Sequence, residues 1–241
     1  GMALVFPLVM MQQMLSAGSM GGGITSAVSR AIGANDLEKA NALVLHAAII
    51  ALGIGLFFTL LFVVFGDIIF SAMGGQGEAL TQCLAYAHVV FLGSVCIWLT
   101  NAFAAVIRGS GNMRTPSTAL LITCLVQVML SGLLGLGWGP VPSFGMAGIA
   151  SGALIAFTCS ALYFFFYLRS PNSKLKLSFN TRLSRPLFMD ILKVGAMSSI
   201  SSLQTVATIL VLTKLISSFG PEALAGYGIG TRLEFLLVPM T

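Results

Sequence analysis

Long apolar runs constrain this chain more than any other feature of its sequence. Six runs of 20 or more residues contain a single charged side chain between them, Lys214; they cover residues 3–28, 41–65, 81–107, 118–137, 146–168 and 194–217. A helix of about 20 apolar residues spans the hydrocarbon core of a bilayer. Charged residues make up 8% of the 241 residues, whereas soluble domains carry about 25%. The sequence therefore predicts an all-α, polytopic transmembrane helical bundle and excludes a soluble domain.

The basic residues predict how these runs cross the membrane. Ten of the twelve Lys and Arg residues lie after the first, third and fifth runs: Arg30, Lys39, Arg108, Arg114, Arg169, Lys174, Lys176, Arg182, Arg185 and Lys193. Because cytoplasmic loops are enriched in Lys and Arg, we expect these loops to be cytoplasmic. The first run then leads inward, and a chain that starts in the cytoplasm needs one more helix before Gly1. Since a seventh run, 223–241, reaches the last residue, we expect a fragment of a longer protein.

The stretch GSMGGGITSAVSRAIG at residues 18–33 is either a phosphate-binding loop or the face of a helix. A phosphate loop of the Walker type needs a Lys after its last glycine, and a dinucleotide site needs a soluble βαβ unit. Neither is present in the sequence. Gly18, Gly22 and Ser26 recur every four residues, and such small residues let membrane helices approach closely. We therefore predict a helix-packing face formed by these three residues.

Polar residues inside the apolar runs are candidates for a transport site. Thr123, Gln127 and Ser131 follow one another at four-residue intervals on one helix face. Such a stripe serves either as a cavity wall or as a source of hydrogen bonds between helices. Arg232 and Glu234 lie within the last apolar run. Because ionisable groups are costly at membrane depth, they are candidates for ion coupling or gating, with an interfacial anchor as the alternative.

Arg108 and Arg114 flank the turn IRGSGNMRTPS, where they are expected to act as cytoplasmic anchors that contact lipid phosphates or helix C-termini. The sequence contains no pattern of a catalytic triad, a carboxylate pair or a metal site, and His46 and His88 are isolated. It therefore predicts no catalytic residue, no metal ligand and no cofactor. The basic loops lack interleaved aromatic residues, so a nucleic-acid partner is not expected.

Four stretches, in order along almost the whole chain, together resemble the multidrug and toxic compound extrusion (MATE) family. They are SRAIGANDLEKANALVLHA at 29–47, IRGSGNMRTPSTALLI at 107–122, FGMAGIASGALIA at 144–156 and the sequence from VGAMSSISSLQ to LEFLLVP at 194–239. The resemblance implies a MATE-like two-lobe transporter of twelve helices, incomplete here, with helices two to seven and the beginning of helix eight present. The implied divisions are an N-terminal lobe at 1–168, a cytoplasmic inter-lobe loop with an interfacial helix at 169–193, and the start of the C-terminal lobe at 194–241.

The resemblance also implies the function of a secondary active multidrug efflux antiporter in the cell (inner or plasma) membrane. Such a protein exports organic, often cationic compounds in exchange for protons or sodium ions by alternating access. The expected partners are small organic substrates, the lipid bilayer and the remainder of the same chain. Substrates would meet a cavity lined by Thr123, Gln127, Ser131 and Gln204.

Two positions depart from the family pattern. Where some members carry an Asn and an Asp in the fifth helix, this chain has Gln127 and Ser131, and where others carry a Glu in the seventh helix it has Gln204 and Thr205. The usual ion-binding carboxylates are therefore missing there, and Glu234 is the acidic candidate that is left. An alternative is a flippase for lipid-linked oligosaccharides, which needs several basic residues in its cavity to meet the phosphate groups, but the apolar runs are nearly free of Lys and Arg. A membrane-embedded enzyme is the other alternative, but it needs a convergent set of His, Asp or Glu inside the bilayer, which the separated His46 and His88 do not supply.

Overall fold

A computed structural model describes residues 2–137, 142–179, 181–220, 222–223 and 226–231. The described chain is helical, as predicted, and every apolar run from the first to the sixth becomes helix. The elements are α1 (Met2–Gln13), a π-helical segment (Met14–Met20), α2 (Gly21–Gly33), α3 (Leu37–Ala72), α4 (Gly77–Leu92), α5 (Ser94–Gly109), α6 (Arg114–Leu136), α7 (Gly145–Arg169) and α8 (Arg185–Ser217).

Four of these helices, α3, α6, α7 and α8, are individually long and apolar enough to cross a membrane. The pair α4 and α5 forms a fifth candidate span with a bend of 47°. The bend falls at Gly93, where a Cβ atom would overlap the side chain of Leu154 on α7. A larger residue at this position would displace the Leu154 side chain where the two halves of this span turn past α7.

The first apolar run is continuous helix but not continuous α-helix. It contains Pro7, and the seven residues of the π-helical segment separate α1 from α2. Short π-helical insertions are rare and occur frequently at functional sites. No piece of this run alone reaches the length of the four long helices, although together they extend from Met2 to Gly33.

The centre of the described bundle is α5. It packs against α2, α3 and α7, and most of its side chains are buried, including every residue from Thr100 to Ile107. Its last turn lies against α2, where the Thr25 hydroxyl donates a hydrogen bond to the Ala105 carbonyl at 3.0 Å. Helices α6 and α7 form an antiparallel pair beside α5, and α8 lies along the π-helical segment and α2.

The three loops that carry the basic residues lie at one end of the bundle, which we call the basic end. The Ser29 hydroxyl of α2 donates to the carbonyl of Gly109 at 3.2 Å. The amide of Asn112 donates to the Tyr167 hydroxyl at 3.0 Å, which joins the α5–α6 turn to the end of α7. This arrangement agrees with the charge distribution, which assigns the basic end to the cytoplasm.

The chain between α7 and α8 is shorter than expected. Residues 185–193, which the sequence assigns to the inter-lobe loop, are the first turns of α8, because Pro186 suits the first turn of a helix and no further proline follows before Ser217. No separate interfacial helix is found in the described part of this stretch. The connection is therefore residues 170–184.

This connection is fastened to α3. The Lys176 amide donates to the Asn41 side-chain oxygen at 2.8 Å, and the Ser184 amide donates to Nε2 of His46 at 3.0 Å. Leu175 and Leu177, on either side of Lys176, are buried. The connection is therefore packed against the bundle at its middle and at its C-terminal end.

Candidate substrate groove and buried polar network

A groove of about 260 Å³ lies between α6 and α7. It is lined by Thr118, Ala119, Ile122, Thr123, Val126, Ala156, Cys159, Ser160 and Tyr163. Most of this wall is apolar, and its polar atoms are hydroxyls and one thiol. Among the described residues none that line it is charged. The groove therefore suits an uncharged or weakly polar part of an organic molecule rather than a phosphate.

Two hydroxyl groups in this groove differ in what they can offer to a ligand. The Thr123 hydroxyl donates to the Ala119 carbonyl of its own helix at 2.8 Å. Ser160 is only 5% exposed, and its hydroxyl has no hydrogen-bond partner within the described structure. Burying a hydroxyl group without a hydrogen-bond partner destabilises the folded protein. Ser160 is therefore the polar group in this groove that gains most from a bound partner, and no sequence pattern marks it.

The other three residues predicted to line a cavity lie elsewhere. The Ser131 hydroxyl donates to the Ile149 carbonyl of α7 at 2.8 Å, so it makes the interhelical hydrogen bond that was the alternative for this stripe. Gln127 is half-buried, and Gln204 is exposed on α8. Neither borders the groove. The structure thus brings Thr123, but not Gln127, Ser131 or Gln204, to this groove.

The predicted coupling candidates Arg232 and Glu234 lie outside the described residues. The two predicted anchors take different positions. Arg108 is half-buried, with Nη2 3.6 Å from the position of a Cβ atom on Gly21, so its side chain points back against α2. Arg114 is exposed at the start of α6, where a lipid phosphate can reach it.

The close helix contact of the first run uses different glycines from those predicted. A Cβ atom on Gly23 would lie 2.7 Å from the Ile191 carbonyl and 2.8 Å from the Gly195 amide of α8. Gly18 and Gly22 are exposed and face open space within the described structure. Ser26 is half-buried and accepts a hydrogen bond from Arg30 at 2.6 Å. The close contact is therefore made by Gly23 rather than Gly22, on the face of α2 that also carries the buried side chains of Ile24 and Val28.

A buried polar network joins α1 and the π-helical segment to α5; it consists of Gln12, Gln13, Ser16, Ser94 and Asn101. The Asn101 amide donates to the Ser16 hydroxyl at 2.8 Å and to the Gln13 side-chain oxygen at 3.2 Å. Ser94 donates to the Gln12 oxygen at 3.3 Å. The network has no charged member. It gathers polar groups at the point where the helix changes from α to π geometry.

Two donors have no partner in the described structure: Nε2 of Gln12, within the network, and Nε1 of Trp98, next to it. Trp98 lies on the same face of α5 as Ser94 and Asn101, since the three are spaced four and three residues apart. The sequence signals for the network are amide side chains within apolar runs. Their mutual contact depends on which helices pack together, and that cannot be obtained from the spacing along one helix.

His46 has a structural position. Because its Nε2 accepts from Ser184, its Nδ1 carries the hydrogen that is donated to the Ala42 carbonyl at 2.8 Å. Its ring lies 4.5 Å from that of Phe188. Both ring nitrogens are thus engaged. In the described residues, no group of three His, Cys, Asp or Glu side chains is placed to hold a metal.

Comparison with known proteins identifies the class to which this fold belongs. The MatE family model matches residues 1–133. Because this is more than half of the chain, the chain belongs to the MATE family of membrane transporters. The predictions of a helical, multi-pass protein of the cell membrane that is not an enzyme are confirmed.

Two curated bacterial relatives show the extent of the similarity. A probable multidrug resistance protein, YoeA of Bacillus subtilis, is 25% identical over 230 residues, which is 93% of this chain and 49% of the relative. The multidrug export protein MepA of Staphylococcus aureus is 27% identical over 216 residues, or 88% of this chain and 47% of the relative. The chain therefore spans about half the length of the curated relatives that it matches.

Solved structures of the family share this fold. One, the inward-facing conformation of a multidrug resistance MATE family transporter of the MOP superfamily, matches with a TM-score of 0.90 and 28% identity over 98% of this chain and 54% of that chain. The outward-facing conformation matches with a TM-score of 0.87 over 99% of this chain and 53% of that chain. The described helices thus have the arrangement of one half of these transporters.

Proposed function

We propose that the protein is a secondary active multidrug efflux antiporter. It exports organic, often cationic compounds in exchange for protons or sodium ions by alternating access. Membership of the MATE family and the names of the two curated relatives support this proposal. Of the divisions expected from the sequence, 1–168, 169–193 and 194–241, we keep the two lobes and place the start of the second at Arg185, so that residues 170–184 join them.

The observation that carries the proposal is the groove between α6 and α7. Its apolar wall, the ring of Tyr163 and the unpaired hydroxyl of Ser160 together match the chemistry of an amphipathic organic compound. An aromatic face attracts organic cations, and a buried donor fixes their orientation. The absence of Lys and Arg among the described lining residues does not favour the lipid-linked oligosaccharide of the flippase alternative.

Thr123 is the predicted cavity residue that this groove supports directly. We place Gln127 and Gln204 on cavity surfaces outside the groove, where their uncharged amides contact substrate in another conformation of the transporter. Ser131 contributes to the cavity indirectly, because its hydrogen bond to the Ile149 carbonyl holds α6 against α7. For ion coupling and gating we retain Glu234 and Arg232, since the family positions at Gln127, Ser131 and Gln204 carry no carboxylate.

The groove contains a cysteine that allows a direct test of ligand binding. Cys159 lines the groove and is exposed, whereas Cys124 is exposed on α6 outside it. In a variant with Cys83 and Cys96 replaced by Ala, both remaining thiols can be alkylated with a maleimide. We expect ethidium, an organic cation, to slow alkylation of Cys159 about tenfold when it is present at roughly ten times its Kd.

Cys124 is the matched control in the same molecule, and its rate should not change. The Ser160→Ala variant should weaken the protection of Cys159, while Ser151→Ala should not, because the Ser151 hydroxyl bonds to the Ala147 carbonyl of its own helix at 2.8 Å. Equal slowing at both cysteines, or no slowing at either, would contradict the assignment of the groove.

A further inference from the structure

A second groove, larger than the first, lies between α2 and α8 at the basic end. It encloses about 550 Å³ and is lined by Arg30, Met189, Asp190, Lys193, Val194, Met197 and Ser198. It is separate from the groove between α6 and α7 and shares no residue with it. It is also open, so a large molecule can enter it from the side.

The polar half of this second groove carries two positive charges that lack a carboxylate partner. Lys39 forms an ion pair with the Asp190 carboxylate at 2.7 Å. Arg30 donates to two neutral acceptors, the Ser26 hydroxyl at 2.6 Å and the Asp190 backbone carbonyl at 3.3 Å. In the part of the chain that the structure describes, neither Arg30 nor Lys193 pairs with a carboxylate. The groove therefore presents a net positive surface.

The apolar half of the groove lies deeper along α8. Since α8 begins at the basic end, Met197 follows Lys193 by one helical turn, about 6 Å further from that end. The side chains of Met189 and Met197 are 51% and 68% exposed, although both residues are apolar. Arg30 lies three residues before the end of α2. Inward from Arg30 and Lys193 the groove is thus apolar, at Val194 and Met197, while Met189 lies one helical turn nearer the end of the bundle.

We propose that this groove binds one anionic phospholipid of the cytoplasmic leaflet. The phosphate lies between the Arg30 guanidinium and the Lys193 ammonium, and an acyl chain runs along Val194 and Met197. A guanidinium and an ammonium are the usual protein partners of phosphate. Basic residues at the cytoplasmic surface attract anionic lipids. A soluble anion would use the cations but would leave the exposed Met197 side chain uncovered, so the groove as a whole fits a lipid.

Such a lipid would contact both sides of the boundary between α2 and α8. Arg30 belongs to α2, and Lys193 and Met197 belong to α8. The lipid thus bridges two helices that also meet at Gly23 and the backbone of Gly195. Binding should stabilise this contact by mass action, because it requires both helices in place.

The test measures lipid binding to the purified full chain in detergent. Native mass spectrometry with added phosphatidylglycerol should show one tightly bound lipid, and phosphatidylcholine should bind more weakly. The double variant Arg30→Gln, Lys193→Gln should bind phosphatidylglycerol about 30-fold more weakly, given the usual contribution of each basic residue near an anionic lipid. The control Lys174→Gln, Lys176→Gln removes the same charge from exposed loop positions at the same end, and it should bind as the parent does.

Further variants distinguish a lipid site from a site for a soluble anion. Met197→Gln keeps both cations and, because Met197 is exposed, should fold; it should weaken phosphatidylglycerol binding. Glycerol phosphate, a headgroup without acyl chains, should not displace the lipid at millimolar concentration. Unchanged affinity in Met197→Gln, full displacement by glycerol phosphate, or an equal loss in the Lys174 and Lys176 control would each overturn the proposal.

Discussion

At the residue scale, the most informative side chains are uncharged. Ser160, Asn101 and His46 are buried, and each offers a hydrogen-bonding group in an apolar setting. Asn101 and His46 have partners, whereas the Ser160 hydroxyl has none among the described residues. The sequence marks such residues as polar within apolar runs. It does not tell which are satisfied by a neighbour, because the neighbour belongs to another helix.

Asn101 provides a test of the polar network. Replacing it with Leu removes hydrogen bonds to Ser16 and Gln13 and should destabilise the fold by about 1–2 kcal/mol, the range for buried hydrogen bonds in membrane proteins. The measurement is thermal unfolding in detergent. In a double-mutant cycle with Gln13→Leu, the two losses should not add, because removing both partners leaves no unpaired amide. Strict additivity would show that the two side chains do not interact.

At the element scale, hydrophobicity predicts the helices well and their contacts poorly. The bounds of α3, α6 and α7 lie within about seven residues of the ends of their apolar runs, because a run long enough to span the membrane favours helix along its whole length. The contact face of α2 was not predictable in the same way. GGGITSAVSRAIG contains two small-residue faces one residue apart, Gly22–Ser26 and Gly23–Ala27. Burial of Ile24 and Val28 against the other helices decides between them.

The two faces of α2 can be separated by the same substitution at neighbouring glycines. Glycine to alanine raises helix propensity by about 1 kcal/mol at either position. At Gly22 nothing lies within 4 Å of the new methyl group, so Gly22→Ala should raise the unfolding temperature or leave it unchanged. At Gly23 the methyl group would meet the Ile191 carbonyl at 2.7 Å, so Gly23→Ala should lower it, because packed helices cannot absorb the overlap.

The measurement is again thermal unfolding, with both variants purified in the same detergent. The expected result is a difference in sign, and it does not depend on the absolute stability of the parent. A stabilising effect at both positions would mean that α2 and α8 do not approach each other as closely as the described backbones do.

At the scale of the whole molecule, the fold and class could be predicted from the order of apolar runs, basic loops and family motifs. The cavity could only be predicted in part. Thr123 lies in the groove, but the Ser131 hydroxyl donates a hydrogen bond to α7. The four-residue spacing of Thr123, Gln127 and Ser131 does not show which of these side chains borders a cavity. The start of α8 at Arg185 could not be predicted from hydropathy, because the first turns of this helix contain polar residues and extend beyond the apolar run.

The proposed antiport makes a prediction about the one acidic candidate left in an apolar run. In cells that express the protein, efflux of ethidium should stop when the proton or the sodium gradient that drives it is dissipated. Glu234→Gln should lower the efflux rate at least about tenfold, because a coupling carboxylate must bind and release the ion. Glu222→Gln, an exposed position, is the matched control and should export normally.

If Glu234→Gln exports as the parent does under both gradients, Glu234 is not the coupling group. If no gradient supports export, the antiport itself is contradicted.

The fastening of residues 170–184 has a mechanical consequence for α8. The hydrogen bond from Ser184 to His46 and the Lys39–Asp190 ion pair tie the beginning of this helix to α3, and the hydrogen bond from Lys176 to Asn41 ties the connection that precedes it. A helix that is held at one end can tilt about that end but cannot translate along its axis. Its far end then travels further than its near end, and over the 33 residues of α8, about 50 Å, a tilt of a few degrees becomes a displacement of several ångströms. We therefore expect the connection between α7 and α8 to act as a pivot for α8 rather than as a flexible linker.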